Sequence, residues 1–268
     1  MTTAIAIHGA AGRMGRQLLQ AVTENPSATL TEAFEASGSG CLGQDTSLLS
    51  GGESSGVCVV DQLIPCSQRF DVVVDFTAPA ATLSMLDSLA GSSKAIVIGT
   101  TGFDEAGLAA LKEHATRLPI VFASNYSVGV TLSLQLLATA AKALGDEYDV
   151  EISEAHHRHK VDAPSGTALS MGEAVADALG RDLKVDAVYG REGITGARDT
   201  KTIGFSTVRA GEIIGDHTVL FAGNGERLEI THRAVDRMTF ARGAIRAACW
   251  LKNQPAGLYD MRHVLGFS

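Results

Sequence analysis

A glycine turn between an apolar strand and an amphipathic helix, near the start of the chain, limits the fold more than any other feature. Thr3 to Ile7 runs apolar without alternation, the pattern of a strand covered on both faces. Gly9-Ala10-Ala11-Gly12-Arg13-Met14-Gly15 follows at once, and Gly12 to Thr23 then sets Met14, Leu18, Leu19 and Val22 on one side of a helix. Strand, glycine turn and helix in that order open a parallel doubly wound sheet. The glycines are spaced G-x-x-G-x-x-G, a departure from the commoner G-x-G-x-x-G dinucleotide fingerprint. The physics is unchanged: small residues let the backbone approach a pyrophosphate, and the helix amides face its negative charge. A tight turn without a ligand would need the same glycines, so the rest of the chain must decide.

The alternation continues. Leu30 to Glu35, Asp71 to Phe76, Ala95 to Ile98 and Pro119 to Ala123 read as strands, with helix patterns at about Ala80 to Ala90 and Asp104 to Arg117 between them. The expected fold class is α/β, a Rossmann-like parallel-sheet nucleotide domain. Gly38 to Gly56, rich in glycine and serine, reads as a loop, with mobility expected. After a long apolar helix, Val128 to Leu144, the character changes. Tyr148 to Ala155 is a strand and Ser165 to Leu179 a helix; Thr202 to Arg209, Glu212 to Ala222 and Arg227 to Arg233 are strands in succession. Gly223-Asn224-Gly225 marks a hairpin, because Asn and Gly accept positive φ at low cost. Successive strands predict a second, α+β domain with an antiparallel or mixed sheet. Met238 to Leu251, amphipathic, fits either domain.

A formal net charge of -8 over 268 residues argues against nucleic acid or an anionic membrane as the partner, since both select a basic face. Cys41, Cys58, Cys66 and Cys249 form no C-x-x-C pair and no zinc spacing, which predicts reduced thiols in a cytoplasmic protein. No basic region or cleavage-like site precedes the first strand, so no signal peptide is expected. No membrane span is expected either, because even Val128 to Leu144 carries Thr, Ser, Gln and Lys.

Within this acidic chain, Glu154 to Thr167 concentrates five cationic or titratable side chains, His156 to Lys160, ahead of Pro164-Ser165-Gly166-Thr167. Histidine exchanges protons near neutral pH, lysine can donate one, and the helix opening at Ser165 to Thr167 offers amides to an anion. On extended geometry His157 and His159 share one face and His156, Arg158 and Lys160 the other. Glu35, twenty positions after Gly15, is placed to accept hydrogen bonds from a ribose, which favours NAD over NADP. Ala36 and Ser37 offer no cation to a 2′-phosphate; only Arg13 and Arg16 remain for that. Phe76-Thr77-Ala78-Pro79, Gly99-Thr100-Thr101-Gly102 and Ser124-Asn125-Tyr126-Ser127 lie at strand ends, where ligands of such sheets bind. Two rival readings use the same residues. A metal-dependent hydrolase would take His157 and His159 with Glu154 or Asp162 as ligands, and a nucleotide-sensing regulator would leave His156 to Lys160 as an interaction surface.

Taken together these motifs resemble the 4-hydroxy-tetrahydrodipicolinate reductase (dihydrodipicolinate reductase) family. The resemblance runs nearly end to end, on Gly9 to Gly15, Val74 to Thr77, Gly99 to Phe103, Asn125 to Gly129, Glu154 to Thr167 and Arg237 to Phe240. It implies a dinucleotide-binding domain of residues 1–127 plus 237–268, and a substrate-binding and tetramerisation domain of residues 128–236. It implies NADH- or NADPH-dependent reduction of an unsaturated pyridine dicarboxylate to tetrahydrodipicolinate, in lysine and diaminopimelate biosynthesis, by a homotetramer. By the same resemblance His156 and Lys160 are catalytic proton carriers, while His157, Gly166 and Thr167 bind substrate. Gly9, Ala10, Ala11, Gly12, Arg13, Met14, Gly15, Glu35, Gly99, Thr100, Thr101, Ala123, Ser124, Asn125 and Tyr126 fall at cofactor positions. Ala36 departs from the arginine that many members carry there, which points to NADH.

Overall fold

The computed structural model describes residues 2–61 and 69–267. Chain contacts divide it into two compact units, Met1–Val128 with Met238–Ser268, and Gly129–Arg237. Cys66 lies outside the described residues; Cys41, Cys58 and Cys249 are free thiols.

The first unit is built on β1 (Thr3–His8), α1 (Arg13–Glu24), β2 (Ala28–Phe34), α2 (Ser47–Ser50), β3 (Val59–Val60), β4 (Val72–Asp75), α3 (Pro79–Leu89), β5 (Ala95–Ile98), α4 (Glu105–Ala115) and β6 (Pro119–Phe122). The second carries α5 (Val128–Leu144), β7 (Asp149–His156), α6 (Gly166–Leu179), α7 (Leu183–Asp186), β8 (Ala187–Tyr189), β9 (Ile203–Arg209), β10 (Gly215–Ala222) and β11 (Arg227–Ala234). The chain then re-enters the first unit with α8 (Met238–Leu251), β12 (Gly257–Tyr259) and α9 (Met261–Leu265).

Seven parallel strands in the order β12-β6-β5-β4-β1-β2-β3 make the first unit a Rossmann-like α/β fold. Side chains alternate across a strand, and both faces here are apolar. Ile5, Ile7, Val72, Val74, Val97 and Val121 pack against α1 and α8, whereas Ala6, Val73, Ile96, Ile98 and Ile120 pack against α3 and α4. A strand buried on both faces shows no polar alternation, which is why these segments read as continuous apolar runs.

The second unit holds a mixed sheet in the order β11-β10-β7-β9-β8, parallel at β7/β9 and β8/β9 and antiparallel at the other pairs. Only one face is helix-covered: α5 and α6 bury Leu137, Ala141, Met171 and Val175 on Val150, Ile152, Ile203, Phe205, Val219 and Phe221. Three sequence expectations are corrected here. The glycine- and serine-rich segment is a loop but carries α2, and the Asp45 carboxylate organises it by accepting hydrogen bonds from the amides of Ser47, Ser55 and Gly56 and from the hydroxyls of Ser54 and Ser55. Those donors hold the Asp45 carboxyl far below its usual range. At the hairpin only Gly225 takes positive φ, and no non-glycine residue does so among the described residues. Finally, α5 with the 3-10 turn after it, Val128–Glu147, does reach the length and apolar composition of a bilayer span, since its polar residues are mostly small and uncharged. Leu137 and Ala141 pack one side of it on the core of its unit, while Leu132 and Leu136 are exposed.

Candidate active site

Three adjacent strands change character at one end of the helix-covered face. On β7 the buried alternation Val150, Ile152 continues as Glu154 and His156; on β10 the row Phe221, Val219 continues as His217; on β9, Ile203 and Phe205 continue as Thr207 and Arg209. Register aligns them: Glu154 pairs with Thr207 and with His217, and His156 with Arg209. A hydrophobic face thus ends in a polar cluster.

Glu154, buried, is its hub. One carboxylate oxygen lies 2.6 Å from His156 Nδ1 and 2.7 Å from an Arg209 guanidinium nitrogen. The other accepts from Arg209 at 2.8 Å and from the Ser165 amide at 3.0 Å. Burial pushes the Glu154 carboxyl up, but Arg209 and His156 outweigh it and the net direction is down. The carboxyl is therefore ionised, as a buried bidentate pair requires. His156 is buried, and a Cβ at Gly215 would stand 3.0 Å from its Nε2, so glycine keeps that nitrogen clear.

The segment expected to be extended turns instead. β7 ends at His156, and the Lys160 amide donates to the His157 carbonyl at 3.1 Å. That turn removes the two-face assignment of His156 to Lys160, and it brings the His157 and His159 rings to 6.3 Å. His157 Nδ1 is buried with no hydrogen-bond partner among the described residues, an orphan suited to a ligand acceptor or donor. Burial lowers the His157 pKa, and Arg237 and His159 add to this. Lys160 Nζ pairs with Asp162 at 2.9 Å. Both carboxylates that a metal reading needs are thus committed, Glu154 to Arg209 and Asp162 to Lys160. No His/Cys/Asp/Glu group among the described residues is arranged for a metal ion.

Ser165 caps α6, its hydroxyl accepting from the Ala168 amide at 3.2 Å and lying 2.8 Å from His217 Nε2. A Cβ at Gly166 would meet nothing within 4 Å, so the helix start beside Gly166 and Thr167 is open on that side. Burial and the neighbouring His156 push the His217 pKa down to about 4. An imidazole that titrates at about 6.5 unfolded and about 4 folded stabilises the fold above pH 6.5 and loses this as pH falls through 4, a loss of about 3 kcal/mol. Thermal unfolding between pH 6.5 and 4 should therefore fall more steeply in the parent protein than in His217→Gln, and equal slopes would refute the assignment.

In the first unit the glycine turn is shaped by backbone contacts. Gly9, at φ +77, and Ala10 donate to the Phe34 carbonyl at 2.9 and 3.1 Å. A Cβ at Gly15 would stand 2.1 Å from the Gly9 carbonyl oxygen, so only glycine lets α1 lie on the turn. Gly12, the N-cap, offers no side-chain acceptor to the first amides of α1, while Arg13 beside it is exposed and Met14 partly buried. Glu35 holds the Ala11 amide with one oxygen at 2.9 Å and its neighbour's amide, Ala36, with the other at 3.0 Å. An uncapped helix start, a backbone cradle that a Cβ would fill and a carboxylate beside it fit a pyridine dinucleotide.

The strand-end loops divide their work. Thr100 is buried, with its hydroxyl on the Thr77 amide and the Thr82 hydroxyl, so its side chain ties loops together. Tyr126 is also buried, its hydroxyl 2.8 and 3.1 Å from the carbonyls of Ile98 and Val121. Gly99 packs on the Phe76 ring, and Thr101 and Ser124 are exposed, with Ala123 and Asn125 partly so. Ligand contacts from Thr100 and Tyr126 are thereby left to their backbone. Sequence reasoning missed Arg209, His217 and the buried Asp75. Asp75 lies 3.2 Å from His8 and accepts from the Thr77 amide at 2.9 Å. The available signal was a run of alternating apolar strand positions turning polar at one end.

Two family models match consecutive parts of the chain: dihydrodipicolinate reductase, N-terminus, over residues 3–126, and dihydrodipicolinate reductase, C-terminus, over residues 129–265. A 4-hydroxy-tetrahydrodipicolinate reductase of Alkalilimnicola ehrlichii is 58% identical over 99% of this chain and 100% of its own. Among solved structures, dipicolinate-bound dihydrodipicolinate reductase from Paenisporosarcina sp. TG-14 superposes with a TM-score of 0.77 at 25% identity, over 97% of this chain and 98% of that one. An amine dehydrogenase from Mycobacterium smegmatis, at 14% identity and a TM-score of 0.58 over 96% and 94%, shares the fold alone. Matched by both models across nearly its whole length, the chain belongs to the dihydrodipicolinate reductase family.

Proposed function

We propose that this chain is the NAD(P)H-dependent oxidoreductase that reduces the dihydrodipicolinate-type intermediate formed from 4-hydroxy-tetrahydrodipicolinate to tetrahydrodipicolinate, in lysine and diaminopimelate biosynthesis. The carrying observation is the polar strand end at His156, with Lys160 and the open start of α6 in the same unit. Unit Met1–Val128 with Met238–Ser268 holds the nucleotide; unit Gly129–Arg237 holds the dicarboxylate and assembles a homotetramer in the cytoplasm. Exposed Ser153 and Val208, on the sheet face opposite α5 and α6, are offered to that assembly.

When bound, the nucleotide supplies a hydride and nothing else. The chain supplies charge and protons. His157, with its orphaned Nδ1, and the Gly166 and Thr167 helix start hold carboxylates of a doubly anionic substrate. Hydride addition to a conjugated ring leaves negative charge, which Lys160 or His156 protonates. The substrate class matches the dipicolinate held by the Paenisporosarcina enzyme. The test is NADH oxidation on supplying the condensation product of pyruvate and aspartate semialdehyde; no consumption by the folded protein would overturn the reading.

NADH is the preferred donor. Glu35, fixed at both oxygens by backbone amides, meets ribose hydroxyls but repels a 2′-phosphate. Ser37 adds no cation and instead binds the Asp61 carboxylate at 3.1 Å, while Arg16 donates to the Ala11 carbonyl. Steady-state assays should give kcat/KM about tenfold or more in favour of NADH, about 1.4 kcal/mol. Ala36→Arg should narrow that ratio, and equal use of both donors by the parent would remove the preference.

A further inference from the structure

We propose that Glu154 is a positioning residue for proton transfer, one anchored carboxylate that fixes both the His156 imidazole and the first turn of α6. The inference rests on the reading of His156 as a proton carrier. It starts from how the carboxylate is used. An ionised carboxylate only accepts hydrogen bonds, at about four lone-pair sites. Here those sites meet His156 Nδ1 at 2.6 Å, two Arg209 nitrogens at 2.7 and 2.8 Å, and the Ser165 amide at 3.0 Å. Thr207 adds a longer contact at 3.4 Å. Glu154 is buried and has no lone pair to spare for a substrate, so it does not react itself.

What it does is decide which nitrogen of His156 works. Facing an acceptor-only group, Nδ1 carries a hydrogen, and Nε2 becomes the atom that takes or gives the reacting proton. Nε2 is on the side that Gly215 leaves clear. The other oxygen of Glu154 receives the amide of Ser165, the N-cap of α6, so the helix start and the imidazole share one anchor. A single displacement of that carboxylate would move the proton carrier and the anion-binding turn together.

Every charge around the pair supports this division. Arg209 on β9 neutralises Glu154; His217 on β10 spends Nε2 on Ser165 and does not compete for the carboxylate. His232 on β11 lies beyond His217, and Lys160 and His157 face the cluster from the turn. Lys160 is tied to Asp162, not to Glu154. The alternative is that Glu154 serves only as a counter-ion for Arg209, and then its loss would cost stability without a kinetic signature of its own.

A double-mutant cycle on the full chain separates the two. In Glu154→Gln, kcat should fall about 100-fold, the upper end of what losing a carboxylate partner costs a metal-bound histidine that it orients. KM for NADH should stay within about twofold. On a His156→Asn background the same change should cost less than about threefold, since residues acting as a unit are not additive. If Glu154→Gln does not fold, Glu154→Asp keeps the charge that Arg209 needs and should show the same loss and the same non-additivity. A Glu154→Gln enzyme within threefold of the parent, or equal factors on both backgrounds, would overturn the positioning role. Full activity in His156→Asn alone would instead overturn the proton-carrier reading beneath it.

Discussion

Lys160→Ala should lower kcat by about 100-fold to 10⁴-fold, the span that general acid catalysis supplies, while NADH affinity stays within about twofold. The first half follows from chemistry: the carbon framework that receives the hydride also needs a proton, and Lys160 is a cationic donor in the turn that follows β7, with Nζ 2.9 Å from Asp162. The second half follows from architecture. Lys160 belongs to the unit Gly129–Arg237, while the glycine turn and Glu35 belong to the other. Lys160→Arg sharpens the test, because guanidinium keeps the positive charge but does not give up its proton at working pH. If Lys160 only attracts the dicarboxylate, the arginine variant should recover kcat and both variants should move mainly KM for the substrate. If it is the acid, both variants lose kcat. Steady-state rates with a fluorescence titration of NADH read all three quantities, and an alanine variant with unchanged kcat would remove Lys160 from the mechanism.

Gly15→Val should abolish nucleotide binding and cost about 3 kcal/mol or more, as overpacking against rigid atoms does. The atoms that a Cβ would meet are backbone oxygens, those of Gly9 at 2.1 Å and Ala10 at 2.7 Å, and neither can rotate away as a side chain could. Relief requires α1 to lift off the turn, which spoils the amide cradle at Gly12 and Arg13. Gly12→Ala is the internal comparison. Its added carbon would stand 3.1 Å from the Gly9 oxygen and nothing closer, so a shift of a few tenths of an ångström suffices and the fold should survive. Thermal unfolding and NADH titration of the two variants should therefore diverge sharply. Equal behaviour would mean that close packing of α1 on the turn is not what the third glycine provides.

How much of this could be read in the sequence depended on whether the cause was local. The nucleotide unit was legible because its strands are apolar on both faces and its glycine turn sits between a strand and a helix, signals contained within twenty residues. Glu154, His156, His217 and Arg209 gather for a different reason. They come from strands separated by some fifty to sixty positions, and only the pairing of His156 with Arg209 and Glu154 with His217 reveals that they share a face. The turn from His157 to Lys160 left no mark, since it contains neither glycine nor proline and is held by backbone hydrogen bonds, one of them from the Arg158 amide to the distant Gly211 carbonyl. Asp45 escaped notice likewise: composition registers serines and glycines as looseness, whereas their amides and hydroxyls converge on one carboxylate. Thr100 and Tyr126 show the converse. They were selected by position at strand ends, and the structure turns both side chains into internal ties.

The return of α8 to the first unit has a consequence for how the molecule is made. Ala241, Ala244, Ile245, Ala248 and Leu251 share a core with Ile5, Ile7, Leu18 and Val72, residues that leave the ribosome far earlier. Until Met238–Leu251 has been synthesised, one face of the parallel sheet is covered by α1 alone, and the whole of Gly129–Arg237 emerges while it waits. The later unit, contiguous in the chain, can close first; the earlier one finishes last. During translation the exposed apolar strand face is the aggregation-prone surface, and a chain cut anywhere before α8 would release it permanently.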